Sequence, residues 1–140
     1  MGGRITFSAM PSSLRKQGKA RTRRSAVRVK RVYDAVADKD GVRVLVDRVW
    51  PRGLSKEKAP IAHWLKEVAP STALREWFGH DPARWTEFRR RYRAELEQNP
   101  APLEALRALV RGRPATLLYG ARDEQHNQAV VLAEILDERH

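Results

Sequence analysis

A chain of 140 residues has room for one domain with a real core. Its formal net charge of +11 overstates the basicity of that domain, because ten of the 28 Lys and Arg residues fall in residues 1–31 with no acid among them, leaving 18 basic against 17 acidic residues in 32–140. The absence of cysteine excludes disulfides, thiolate metal sites and a cysteine nucleophile, and no apolar run approaches the roughly 18 residues of a membrane span, so a soluble cytoplasmic protein without membrane contact is expected.

Residues 1–26 mix that positive charge with Gly2, Gly3, Ser12, Ser13, Gly18 and Ser25 and few large apolar side chains, the composition of a disordered basic tail. Three readings of the tail stay open: an arm for nucleic acid, an acid-free targeting peptide, or an upstream extension ahead of a later start at Met10. A solvated tail or an extension is favoured over a functional arm, since runs of like charge are usually solvated. Any nucleic-acid contact is confined to this tail, and the domain is expected to span 27–140.

Residues 27–33 alternate apolar and basic side chains, which predicts a first strand near a sheet edge. Asp38, Asp40 and Gly41 form a turn before a second strand from Val42, whose apolar run Val44, Leu45 and Val46 suits burial on both faces. The two strands lie too close for a helical crossover, so they should pair as a hairpin or diverge. Beyond Gly53, Ile61, Trp64, Leu65 and Val68 fall at i, i+3, i+4 and i+7 and predict an amphipathic helix. Ser71 caps a short helix carrying Leu74, Trp77 and Phe78 and ended by Gly79. Asp81 and Pro82 then open the longest helix, with Trp85, Phe88, Tyr92 and Leu96 inward. Its Arg89, Arg90, Arg91 and Arg93 face Glu87, Glu95 and Glu97 at helical spacing, the pattern of a solvated face laced with ion pairs (Glu87–Arg91, Arg91–Glu95, Arg93–Glu97). Leu103, Leu106, Leu109 and Val110 mark another helix closed by Gly112. Residues 115–119 read as a short apolar strand, and Asp123 is placed to cap a last helix with Leu132, Ile135 and Leu136 inward.

A crossover long enough to hold all those helices returns the last strand parallel to the second. The fold class is therefore α/β, a small, mainly parallel sheet of about three or four strands packed by four to six helices. Asp47 and Arg48 at the end of one strand and Gly120 to Asp123 at the end of the other then emerge on one edge beside a helix amino terminus, where open α/β sheets bind ligands. Pro51 and Gly53 favour a tight turn that fixes Trp50 and Arg52.

The segments Asp47-Arg48-Val49-Trp50-Pro51-Arg52-Gly53, Trp64-Leu65-Lys66-Glu67, Leu74-Arg75-Glu76-Trp77-Phe78-Gly79-His80-Asp81-Pro82 and Phe88-Arg89-Arg90-Arg91-Tyr92, with Thr116-Leu117-Leu118-Tyr119-Gly120-Ala121 and Asn127-Gln128-Ala129 later, closely resemble the YeaO-like family, domain of unknown function number 488. The resemblance covers about residues 27–138, and it implies a small α/β fold without an established reaction. The family pattern has His after the Asn where this chain has Gln128. The match adds Lys66, Ser71, Arg75, His80, Tyr92, Tyr119 and Asn127 as candidates.

Together these residues suggest a site for a small anionic molecule, phosphorylated or nucleotide-like, that is bound or transformed at the carboxyl edge of the sheet. Arg48, Arg52 and Arg75 would neutralise the anion, Asp47 would orient an arginine or accept a proton, Trp50 or Tyr119 would stack, Asn127 would contact the ligand, and His80 would act as acid or base. Each has a plainer structural account: Ser71 as a cap, His80 as a turn residue, and the Asp47, Arg48 and Arg52 cluster as a salt-bridged loop tie. The four histidines His63, His80, His126 and His140 lack ligand spacing, and His126 is the weaker acid–base candidate; no metal or other cofactor is expected. Two other functions stay open, a nucleic-acid accessory acting through the tail and a partner-binding module using Trp64 and Trp77. Enzyme or binding protein, and the oligomeric state, are left undecided.

Overall fold

A computed structural model describes residues 27–138 of the chain. The expectation of a disordered tail at 1–26 lies outside the described residues. The domain is a four-stranded, wholly parallel sheet with four α-helices. The strands are β1 (Val27–Arg31), β2 (Val42–Leu45), β3 (His63–Trp64) and β4 (Ala115–Tyr119), in the order β1-β4-β2-β3. The helices are α1 (Thr72–Phe78), α2 (Trp85–Gln98), α3 (Ala101–Val110) and α4 (Gln128–Asp137). None is long and apolar enough to cross a membrane.

β4 is buried at every position because it lies between β1 and β2, with Leu117 in register with both Val29 and Val44. The first two strands therefore diverge: each pairs with β4 and not with the other. Their connection is tied down by Thr116 Oγ1, which donates to the Asp40 carbonyl at 2.7 Å. Gly41 is required there, since its φ is +65° and an added Cβ would lie 2.2 Å from the Pro114 carbonyl oxygen.

The expected helix over Ile61, Trp64, Leu65 and Val68 is replaced by β3 and a 3-10 turn at Lys66–Val68. β2 has an open edge, and the segment satisfies it: the Ala62 and Leu65 amides donate to the Arg43 and Leu45 carbonyls, each at 2.9 Å. The apolar stripe then splits between the two faces of the sheet. Leu65 and Val68 join the main core with Leu117, Phe88 and Leu132, whereas Ile61, Trp64 and Trp50 cover Val32, Leu45 and Leu118 on the other face. Helical spacing is thus satisfied without a helix, because edge pairing plus burial on two faces outweighs local periodicity.

The later elements follow the sequence more closely. Ser71 Oγ accepts from the Leu74 amide at 3.1 Å and so caps α1, while Gly79 ends the helix in the left-handed region. Asp81 caps a 3-10 turn at Pro82–Arg84 that runs into α2, whose Phe88, Tyr92 and Leu96 are buried. Of the expected ion pairs only Glu87–Arg91 forms, at 2.8 Å. Arg93 instead reaches Glu138 at 2.9 Å, Arg89 reaches Glu134 at 2.7 Å, and Glu95 is taken by Ser71. The basic face of α2 is therefore spent on holding α4. The cap of α4 is Asn127, whose Oδ1 accepts from the Val130 amide at 3.1 Å, and not Asp123.

Asp40 is 3% exposed and shares a cluster with Arg43, its nearest cation, and with Lys30 at 3.1 Å. Burial pushes its carboxyl up, but the Ala37 amide, Lys30 and Arg43 together outweigh burial and hold it below the usual 3.8. A depressed carboxyl contributes stability that is present above the unfolded value and lost as the pH falls through the folded one. Asp40→Asn should cost about 3–5 kcal/mol at neutral pH by stranding Arg43, and should flatten the acid limb of stability below about pH 4, read from urea melts across pH. Gly41→Ala should cost on the order of 2–4 kcal/mol in the same melts, with no matching loss at exposed Gly53→Ala beyond its positive-φ penalty.

Candidate functional site

The parallel pairing of β2 with β4 brings their carboxyl ends side by side, and a cavity of about 280 Å³ opens there. Its walls come from seven segments: the chain after β1, the chain after β2, the 69–70 turn, α1 with the residues after it, Phe88 of α2, the 120–121 turn, and the start of α4. Asp47, Arg48, Arg52, Arg75, His80 and Asn127 all line it, so six candidates from three separate stretches of sequence meet in one hollow. Phe78 and Phe88 form its apolar floor, their rings stacked at 4.4 Å. A larger groove of about 840 Å³ lies at the opposite end of the sheet, lined by Val27, Val29, Val110 and Leu136 with Arg107 and Arg111, and it contains none of the candidates.

Asp47 is the keystone of that hollow. Its Oδ2 accepts from the Gly120 amide at 2.9 Å, its Oδ1 accepts from Gln128 Nε2, and its carbonyl accepts from Trp64 Nε1 at 2.7 Å. One residue therefore joins β2 to β3, to the β4 turn and to α4. Gly120 permits this approach, since a Cβ there would sit 2.9 Å from Asp47 Oδ2. Burial raises the carboxyl above its ordinary value, against the Gly120 and Gln128 hydrogen bonds and the attraction of Arg75 and His80. The expected partnership of Asp47 with Arg48 or Arg52 does not form: no ion pair joins them among the described residues.

The arginines divide by role. Arg48 donates from Nε to the Pro70 carbonyl at 3.1 Å and from Nη2 to the Ala69 carbonyl at 3.0 Å, with Glu67 3.9 Å away, so it staples the 69–70 turn. Arg52 offers its own carbonyl to the Tyr33 hydroxyl at 2.7 Å, while its guanidinium has no hydrogen bond or ion pair among the described residues. The same holds for the exposed guanidinium of Arg75. His80, also exposed, has φ +58° and lies 6.4 Å from the Phe78 ring.

Several candidates lie elsewhere. Trp50 packs edge-on against Trp64 at 5.3 Å and donates to the Leu54 carbonyl at 2.7 Å, so it closes the second core and does not line the cavity. Tyr119 is 2% exposed and also outside the lining. Tyr92 is buried and donates to the Val68 carbonyl at 2.5 Å. Ser71, besides capping α1, donates to Glu95 Oε2 at 2.6 Å, and Lys66 rests over Trp64 at 5.4 Å. Trp77 is covered by Arg91 at 4.3 Å and Arg84 at 5.3 Å, which leaves its ring little open face for a partner.

The structure adds Tyr33 and Gln128 to the lining and also places there His126, the weaker acid–base candidate. His126 is held by Asp123, whose Oδ2 is 2.8 Å from Nδ1 and whose Oδ1 accepts from the His126 and Gln125 amides. The Gln125 amide first and then the His126 ring lower the Asp123 carboxyl. An Asp three residues before a His, just ahead of a helix, was the available signal. No group of three or more His, Asp or Glu residues with the geometry for a metal ion occurs among the described residues.

A family model described as the inactive DUF488-N3 subclade matches residues 26–140. The chain belongs to the DUF488 family. Among DUF488 relatives, uncharacterised protein Rv3073c of Mycobacterium tuberculosis is 44% identical over 117 residues, covering 84% of this chain and 98% of the relative. Uncharacterised protein YeaO of Escherichia coli is 42% identical over 110 residues, covering 79% and 96%. No solved structure gives a significant match. The resemblance read from the motifs is therefore borne out, and this DUF488 chain has the α/β fold that it implied.

The Asp47 network makes a stability prediction with a definite sign. A carboxyl raised in the folded state contributes stability below its unfolded value, and that contribution is lost as the pH rises through the folded value. Asp47→Asn keeps an acceptor for Gly120 and lets the Gln128 amide rotate, so it should stay within about 1 kcal/mol of the parent and lose the decline on the alkaline side of about pH 4. Asp47→Ala strands two donors and should cost about 1–3 kcal/mol in urea melts.

Proposed function

We propose that this DUF488 chain binds a small anionic molecule, phosphorylated or nucleotide-like, at the carboxyl edge of its sheet, and that it binds the molecule without transforming it. The observation that carries the reading is the pair of unpartnered guanidiniums, Arg52 and Arg75, on the wall of a hollow with an aromatic floor. An arginine fork is matched to carboxylate or phosphate oxygens, and at a concave site a bound anion replaces water on it. The floor of Phe78 and Phe88 and the half-exposed Tyr33 ring give the uncharged part of a ligand an apolar surface.

Three features support binding over turnover. Each carboxylate oxygen of Asp47 is engaged by a donor of the fold, which ties the group to the wall of the hollow. Gln128, the side chain that meets Asp47 Oδ1, cannot ionise and so supplies no acid or base beside that carboxylate. The matching family model is itself described as inactive. The nucleic-acid reading gains nothing from α2, because Arg89, Arg90 and Arg93 are each paired with a glutamate and Arg91 with Glu87.

The test is a thermal-shift screen of the full chain against nucleotides, sugar phosphates and organic acids. A true ligand at one hundred times its Kd adds about 2.7 kcal/mol of stability. Arg75→Ala and Arg52→Ala should each weaken that ligand about tenfold or more while leaving the ligand-free melting temperature within about 2 °C, because neither side chain holds the fold. Absence of any anionic hit, or hits indifferent to both substitutions, refutes the reading.

A further inference from the structure

His126 is a cavity side chain held by one ring nitrogen and left without a partner on the other. Its Nδ1 is fixed 2.8 Å from Asp123 Oδ2, its ring stands edge-on to Trp85 at 5.1 Å, and its backbone amide is tied to the same carboxylate. Nε2 has no partner among the described residues, although the residue lines the hollow. His80 offers the contrast. It lines the same hollow with neither ring nitrogen hydrogen-bonded, on an exposed turn at φ +58°. A carboxylate on one imidazole nitrogen selects the tautomer with its proton at that position, leaving the other nitrogen an acceptor when neutral and a donor when charged. The pair is thus built to present a cationic N–H only after a proton is taken up.

We infer that His126, oriented by Asp123, is the third cationic donor of the anion site alongside Arg52 and Arg75, and that the ligand class is a tetrahedral oxyanion, such as a phosphate monoester, rather than a simple carboxylate. This rests on the anion-binding reading above. A planar carboxylate is satisfied by one guanidinium fork, whereas a tetrahedral dianion has oxygens enough for donors arriving from three segments, here the 51–53 turn, α1 and the loop before α4. The charged groups around His126 are Asp123 on its own loop and Arg89, which lies 6.0 Å from the far partner ring, Trp85, on α2. Across the hollow stand Asp47 and Arg48 from the end of β2, Arg52 from its turn, and Arg75 and His80 from α1 and the residues after it.

Sulfate is the clean probe, because it stays a dianion over the whole range in which imidazole titrates, about pH 5–8. Binding to the full chain is measured by calorimetry at constant ionic strength, alongside the ring-proton resonances of each histidine. Sulfate should bind at least about fivefold more tightly at pH 6 than at pH 8, and should shift the His126 resonance more than that of His80. His126→Gln should abolish the pH slope and keep the weak pH 8 binding, whereas His80→Gln should retain the slope. Asp123→Asn, which keeps acceptors for the two amides but loses the carboxylate that orients the ring, should weaken pH 6 binding without unfolding the chain, and acetate should bind more weakly than sulfate throughout. A slope that survives His126→Gln in a folded variant, or acetate equal to sulfate, overturns the inference while leaving the Arg75 reading standing. No uptake of any anion at any pH overturns both.

Discussion

The adjacency of β2 and β4, locked by the Asp47 carboxylate against the Gly120 amide and Gln128, is the constraint on which the rest of this structure depends. Parallel strands end at the same edge, so pairing them places two turns from distant parts of the chain in contact. Asp47 then fills the gap between those turns and α4, and its backbone carbonyl holds the Trp64 indole of β3 as well. An ionisable group with burial of this kind is costly unless its oxygens are satisfied, and here the fold itself supplies the donors. The carboxylate is a structural member of the site wall before it is anything else.

That arrangement decides which charges remain for a ligand. Arg48 is drawn to the Ala69 and Pro70 carbonyls, and the α2 arginines are drawn to Glu87, Glu134 and Glu138. Arg52 and Arg75 are left without such partners, beside the Asp123-held His126. In a concave site the value of such groups is greatest, because an anion entering it exchanges bulk water for fixed donors in a medium of lower effective dielectric. The aromatic floor restricts water further. This combination is what the proposed anion-binding reading draws on.

At the other end of the sheet the polar groups do something different. Asp40, Arg43 and Lys30 neutralise one another beneath the turn into β2, and Gly41 lets that turn pass against Pro114. This cluster holds the divergence of β1 and β2 around β4. The candidate site and this ion cluster thus lie at opposite ends of the strands, and open parallel sheets usually bind ligands beyond the carboxyl ends.

Much of this was legible in the sequence, and for local reasons. The apolar run at Val44 to Val46, the Ser71 and Gly79 bounds of α1, and the long helix with Phe88, Tyr92 and Leu96 inward follow from burial pattern and capping, which neighbours in sequence dictate. The long crossover required the last strand to be parallel, which was enough to bring Asp47 toward Gly120, whereas Arg75, His80 and Asn127 came into consideration only through the family resemblance. Tertiary structure alone decided the rest. The stripe at Ile61, Trp64, Leu65 and Val68 became a strand and a turn because β2 needed an edge partner and the sheet needed covering on both faces, demands that no local window contains. Trp50 went to the second core, Asn127 displaced Asp123 as the cap of α4, and Asp123 turned to His126. Which arginine meets a carbonyl and which meets a cavity depends on distances between segments far apart in the chain. A sequence lists its charges, but only packing assigns them partners.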